Sequence, residues 1–152
     1  MLLKNSGSNL TLDSFKLLES AVNAKIPLDY KNFMLQHNGG QPVEHIFFSF
    51  NEVDSETGKS FENGADIHSF NKLEDIQMFY DNLVGAEVIP EQYLPIADDS
   101  CGNEILMCLV NGTEYGKIFF GNHELYQSDE IHWVLTEIAT SFNEFLKIID
   151  VN

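Results

Sequence analysis

The sequence predicts an α+β domain: a largely antiparallel central sheet with helices packed mainly on one side. Three observations carry this. Helical stripes come first, strand-like runs follow, and one more helical stripe closes the chain. That order separates helices from strands instead of alternating them. Two short apolar runs, Glu104–Val110 and Lys117–Phe120, flank the turn cluster Asn111-Gly112-Thr113-Glu114-Tyr115-Gly116 and read as a β-hairpin. Both alternating faces of its first run are apolar: Ile105, Met107 and Leu109 on one, Leu106, Cys108 and Val110 on the other. A strand of that kind is central and covered on both sides.

The elements follow in order. Residues 11–23 read as a helix capped by Thr11, with Leu12, Phe15, Leu18 and Val22 on one stripe. Ile26-Pro27 breaks it and opens a second helix, since proline is tolerated in a first turn. Tyr30, Phe33, Met34 and His37 share a face of that helix, and Asn38-Gly39-Gly40 stops it. The glycines sit at a helix C-terminus, where the dipole repels anions, so they form no phosphate loop. Glu44–Phe50 reads as the first strand, residues 51–65 as a polar loop, and Asp66–Phe70 as a short strand. Asn71-Lys72-Leu73-Glu74 resembles a capping box in which Glu74 reaches back to the cap. Leu73, Ile76, Phe79 or Tyr80, and Leu83 make the stripe of a third helix, closed by Gly85. Tyr93–Ala97 is a strand leading into the hairpin, and Ile131–Leu135 is another. Thr136 caps the last helix, whose stripe is Ile138, Phe142, Phe145, Leu146 and Ile149. Phe119, Phe120 and Trp133 are expected in the core.

The 152 residues suit one domain, taken as 1–152. A chain of this size buries ~70% of its unfolded surface. No apolar run approaches the ~18 residues of a membrane span, and the start, MLLKNSGSNL, lacks a signal peptide's apolar core. A cytoplasmic protein with reduced thiols at Cys101 and Cys108 is expected. There are 24 acidic residues, 8 lysines and no arginine, for a net charge of -16. Residues 1–42 carry +1 and residues 43–152 carry -17. Such a chain repels nucleic acid and anionic lipid and draws in basic partners.

Three segments together resemble one family. They are Pro95-Ile96-Ala97-Asp98-Asp99 with Gly102-Asn103-Glu104 and the later Ile118-Phe119-Phe120…His123-Glu124; Ile26-Pro27-Leu28-Asp29-Tyr30-Lys31-Asn32-Phe33 with Asn38-Gly39-Gly40; and Ser141-Phe142-Asn143-Glu144-Phe145-Leu146. The pattern resembles the SUKH superfamily over roughly residues 12–149. That family includes fungal regulators of cell-wall assembly and glucan synthesis and many bacterial toxin-immunity proteins. The resemblance implies the same α+β architecture and a non-enzymatic binding role. It marks Pro27, Tyr30, Asn38, Gly39, Gly40, Gly102, Asn103, Gly116, His123, Ser141, Phe142 and Phe145 as structural. Cys101 stands where the family often has Gly, and Gly121-Asn122 where it often has Trp-Asp; a lost aromatic there opens a pocket or retunes a partner surface.

No residue pattern supports chemistry. The five histidines form no HExxH and no zinc spacing, so neither metal nor cofactor is expected. No nucleophile-elbow motif is present. Cys101 lies among Asp98, Asp99 and Glu104, whose charge disfavours a thiolate. Asp98 and Asp99, adjacent in a turn, point apart more readily than they form an acid–base pair. Asp98, Asp99, Glu104 and Glu124 instead suggest an acidic rim for partner recognition. The expectation is an immunity protein that binds a basic toxin, a nuclease being the natural candidate because it must hold phosphates. The alternative is a regulator or scaffold of cell-wall synthesis. An enzyme using Asp98, Asp99 or His123 would require those groups to converge in a pocket.

Overall fold

A computed structural model describes residues 1–54 and 56–150; Ser55, within the expected loop, and the last two residues of the 1–152 domain lie outside them. The chain runs β1 (Leu3–Lys4), a 3-10 turn (Leu12–Phe15), α1 (Lys16–Val22), α2 (Leu28–Gln36), β2 (Gln41–Pro42), β3 (Phe47–Val53), β4 (Ser60–Asp66) and β5 (Ser69–Phe70). It continues with α3 (Leu73–Gly85), β6 (Tyr93–Asp98), β7 (Glu104–Cys108), β8 (Ile118–Tyr126), β9 (Trp133–Ala139) and α4 (Phe142–Asp150). The α+β class is as the element order predicts. The main sheet has the order β5-β6-β7-β8-β9 and every pair is antiparallel. Two small ribbons, β1–β2 and β3–β4, lie outside it.

The centre is β7, and both its faces are covered. Ile105, Met107, Ile118 and Phe120 join the main core with Phe15, Leu18, Tyr30, Phe33, Ile76, Phe142 and Phe145 from the helical elements. Leu106, Cys108 and Phe119 face a smaller cluster closed by Ile89, with Trp133 and Leu135 at its margin. The helices thus gather mainly on one side. Aromatic edges tighten that side: the Phe142 ring lies 5.1 Å from Tyr30 and 5.0 Å from Phe33. Phe119 and Phe120 are buried as expected, and Trp133 is half-buried.

Several boundaries differ from the sequence expectations, each for a physical reason. Leu12 is exposed, because the 3-10 turn before α1 winds three residues per turn and moves it off the stripe. The first long strand starts at Phe47, not Glu44. It runs on to Val53 and pairs along its whole length with β4, from Phe47↔Asp66 to Val53↔Ser60. The expected loop of residues 51–65 is therefore mostly a hairpin. Its polarity misleads because only its inner face is buried. The turn is held by Asp54, whose Oδ1 accepts the amides of Glu56 at 2.8 Å and Thr57 at 3.1 Å. Asp66 ends that hairpin, leaving only Ser69–Phe70 as the separate strand.

At the C-terminal end, β8 continues through His123-Glu124 to Tyr126 instead of stopping at Phe120. Thr136 lies within β9 opposite Phe120 and caps nothing. Ile138 likewise belongs to the strand, where β-branched residues fit the pleat. Ser141 serves α4 instead: its Oγ accepts the Glu144 amide at 3.1 Å and its carbonyl the Phe145 amide at 3.0 Å.

The start of α3 is capped from a distant segment. Asn38 Oδ1 accepts the Leu73 amide at 2.8 Å, and Asn38 Nδ2 donates to the Ser8 carbonyl at 2.9 Å and to Glu74 at 3.3 Å. Glu74 therefore turns to Asn38 and not to its own cap. Gly39 makes this approach possible: with φ +65, an added Cβ would lie 2.7 Å from the Asn71 and Lys72 backbone. Gly40 then bridges to Phe70, carrying the chain into the sheet margin.

Candidate functional site

The residues that set the site geometry meet at the turn between β6 and β7. Asp99 is buried and organises it. Its Oδ1 accepts the amides of Cys101 at 2.9 Å and Asn103 at 2.8 Å, and its Oδ2 accepts from Asn103 Nδ2 at 2.8 Å. Asn103 Oδ1 in turn accepts the His123 amide at 3.0 Å and lies 2.6 Å from His123 Nδ1. Gly102 passes beside this ring with φ +90, where a Cβ would come within 3.4 Å of His123 Cε1. From the hairpin side, Asp66 accepts the Ser100 amide at 2.8 Å and the Ser100 hydroxyl. Burial pushes the Asp66 carboxyl up, but the Ser100 hydrogen bonds outweigh it and hold the group below its usual range. Asp66, Asp99, Asn103 and His123 thus lock the turn between β4 and β8.

This turn borders a groove of about 990 Å³ at the base of the β3–β4 hairpin. Phe47, Phe48, Ser49 and the 63–66 segment line it together with Asp99, Cys101, Asn103, Asn122, Glu124 and the α4 residues Glu144, Lys147 and Ile148. Lys147 is the one cation among these lining residues, and it is paired with Glu144 at 2.8 Å. Four carboxylates face that single ammonium.

Behind the groove, Glu52 is fully buried on the inner face of the hairpin. It accepts from Asn63 Nδ2 at 2.5 Å and from Asn122 Nδ2 at 3.1 Å and 3.4 Å. Asn122 also accepts the Glu124 amide at 3.0 Å. This bridge ties the hairpin to β8. It explains Asn122: an aspartate there would set two buried carboxylates in contact. Gly121 opens no pocket of its own. The space its side chain would take is filled by Leu106 and Leu135, whose methyls lie 3.2 Å and 3.4 Å from an added Cβ.

The four carboxylates expected to form one rim fall into two pairs. Asp99 and Glu124 line the groove; Asp99 is spent on the turn, whereas Glu124 is exposed. Asp98 and Glu104 face each other across β6 and β7, on the side of the sheet that carries Leu106 and Cys108. Burial, with the charges of Asp98 and Asp99, pushes the Glu104 carboxyl up to about 8. Burial also raises Asp98, against the pull of His68, whose Nδ1 is 3.3 Å away. Neutral near pH 7, Glu104 adds little to an acidic field.

The motif residues take structural places. Pro27 precedes α2 and approaches Gly116, Tyr30 and Phe142 pack edge to face, and Phe145 fills the core. Cys101 is exposed and Cys108 buried, both free. Among the described residues, no three His, Cys, Asp or Glu side chains come together to hold a metal, and no helix is long and apolar enough to cross a membrane. Sequence reasoning missed Glu52 and Asp66, and it marked Asn122 only as a departure from the family pattern. The first had a signal: Phe48, Phe50 and Glu52 alternate at strand spacing, with the acid in the buried phase.

Comparison with known families finds a match over most of the chain. The model of the SMI1 / KNR4 family (SUKH-1) matches residues 9–148. The chain belongs to this SUKH-1 family. It is also 29% identical over 150 residues to the SPbeta prophage-derived uncharacterized protein YokK of Bacillus subtilis (strain 168), covering 90% of this chain and 72% of that one. SUKH-1 membership supports a toxin-immunity or SMI1-like regulatory role, in a family of generally non-enzymatic binding proteins. The geometry fits the binding half of that description. The locked turn and the bridged hairpin hold a concave acidic surface in place.

Proposed function

We propose that this chain is an immunity protein that neutralises a basic toxin, a nuclease by preference, through direct binding in the cytoplasm. The observation that carries the reading is the acidic field of a SUKH-1 domain: residues 43–152 hold 21 acids against 4 lysines. A nuclease must present cations to hold phosphates, and those cations are what such a surface attracts. Of the four rim carboxylates, Glu124 serves as the direct contact, Asp98 adds charge, Asp99 supports the turn beside the groove, and Glu104, raised to about 8, adds little. The relative in a Bacillus prophage is compatible with a mobile toxin–immunity pair.

The test is reconstitution with a cognate nuclease domain sought among the products of the neighbouring genes. A one-to-one complex that abolishes nuclease activity, with association slowing as salt rises from 50 to 300 mM (about 2.4-fold shorter screening length), is the expected result. A stable complex whose association ignores salt would remove the electrostatic part. Absence of both complex and protection would remove the immunity reading.

A further inference from the structure

We infer that the groove takes an extended basic segment of the partner, added as a third strand to the open edge of β4; this rests on the reading of the chain as a binder of a basic protein. The hairpin is a two-stranded ribbon, so among the described residues no strand pairs with the far edge of β4. The pairing phase fixes what that edge offers. Ile67 donates to the Ile46 carbonyl, and Asp54 donates to the Lys59 carbonyl. By alternation along this unbroken antiparallel register, the pairs in between at Phe48↔Ala65, Phe50↔Asn63 and Glu52↔Phe61 are the hydrogen-bonded ones. The backbone groups of Glu62 and Gly64 therefore point outward, away from β3. The Gly64 amide is taken by Asn63 Oδ1 at 2.8 Å, which leaves the Glu62 N–H and the two carbonyls for an incoming strand.

The side chains beside that edge define the occupant. Glu62, Gly64 and Asp66 fall on one face of β4, and Asn63 and Ala65 on the other. Glycine leaves the centre of the acidic row uncovered: only the Phe48 carbonyl, at 3.5 Å, would meet a Cβ there. The groove continues the row with Glu124 and adds the apolar walls Phe48 and Ile148. A strand with cations at every second position meets Glu62 and Glu124, Asp66 being taken by Ser100, and its alternate small apolar residues meet the opposite face. Lys59, at the turn, is the one basic residue of the hairpin region and lies at the end away from the groove.

The probe is a capped hexapeptide of alternating lysine and valine, titrated into the whole isotope-labelled protein and followed by amide chemical shifts. Shifts concentrated at residues 60–66 and at Glu124 are expected. A second peptide of the same side-chain sequence, N-methylated on every backbone amide, keeps the charge but cannot donate to a ladder. It should bind at least ~10-fold more weakly. Glu124→Gln should weaken the parent peptide several-fold, and Asp81→Asn on exposed α3 should not. Equal binding of the methylated peptide, equal loss in both protein variants, or no shift at millimolar peptide would each overturn the proposal. None of these outcomes bears on toxin neutralisation, which is read separately by the activity assay.

Discussion

Replacing Asn122 with aspartate would put a second carboxylate against Glu52 in a site closed to water. Asn122 Nδ2 lies 3.1 Å from Glu52 Oε1, and Glu52 is 0% exposed. Two like charges at that separation repel by ~5 kcal/mol at an effective dielectric of about 20. The pair escapes part of this by taking up a proton, which costs an ordinary carboxyl ~4 kcal/mol at pH 7 and ~1 kcal/mol at pH 5. The protonated carboxyl then donates in place of the lost amide. The expected destabilisation is therefore ~3–4 kcal/mol at pH 7, falling to ~1 kcal/mol at pH 5. The sign follows from linkage: the folded variant binds a proton that the unfolded chain releases, so its stability falls as pH rises. Urea unfolding at both pH values, followed by the fluorescence of Trp133, measures the difference from the parent protein. Adding Glu52→Gln should restore most of the loss at pH 7. A cost equal at both pH values, or no cost at all, would refute the carboxylate–amide bridge as what holds the hairpin.

Three further outcomes follow from other buried groups. Glu104 is raised to about 8 by burial and by Asp98 and Asp99, so it stabilises the fold at low pH and loses that contribution as pH rises from about 4.5 through about 8. Glu104→Gln should flatten this loss and gain on the order of 3 kcal/mol at pH 8 in a denaturation series. Among the described residues the buried Tyr30 hydroxyl has no hydrogen-bond partner, so Tyr30→Phe should leave stability unchanged or raise it by ~1 kcal/mol; a loss above ~1 kcal/mol would disprove the orphaned hydroxyl. Asn38→Ala removes the cap of α3 and the tie to Ser8 and should cost ~2–3 kcal/mol, seen as a lower urea midpoint with unchanged slope.

The parts of the fold that were legible in the sequence are those whose burial is set by local pattern. Ile105 to Cys108 read as a central strand because no solvent face had to be accommodated. Tyr30, Phe33 and Met34 read as a helix face because all three point to one core. The 60–66 strand was illegible because it is held by its ladder to β3 and not by apolar side chains. β9 was half-read: an edge strand that is half-buried on both faces carries the mixed pattern Trp133-Val134-Leu135-Thr136-Glu137-Ile138, which runs without a break towards the helix. The motif turn was legible as a turn, but not that Asp99 is consumed in building it. Nor does any local signal announce that Asn38 caps a helix 35 residues away.

Among the described residues, the β3–β4 ribbon shares no backbone ladder with the main sheet. It is docked by the Phe50–Phe120 contact, with rings 4.6 Å apart, by Phe48 against Phe145, and by the Glu52 bridge. A unit docked by side chains, without a shared ladder, can detach while the five strands stay paired, so its amides belong to a separate, less protected exchange class. The same independence bears on descent. Substitutions on the outer face of the ribbon leave the sheet's pairing untouched, so this segment is free to diversify from one relative to the next while the scaffold beneath it stays constant.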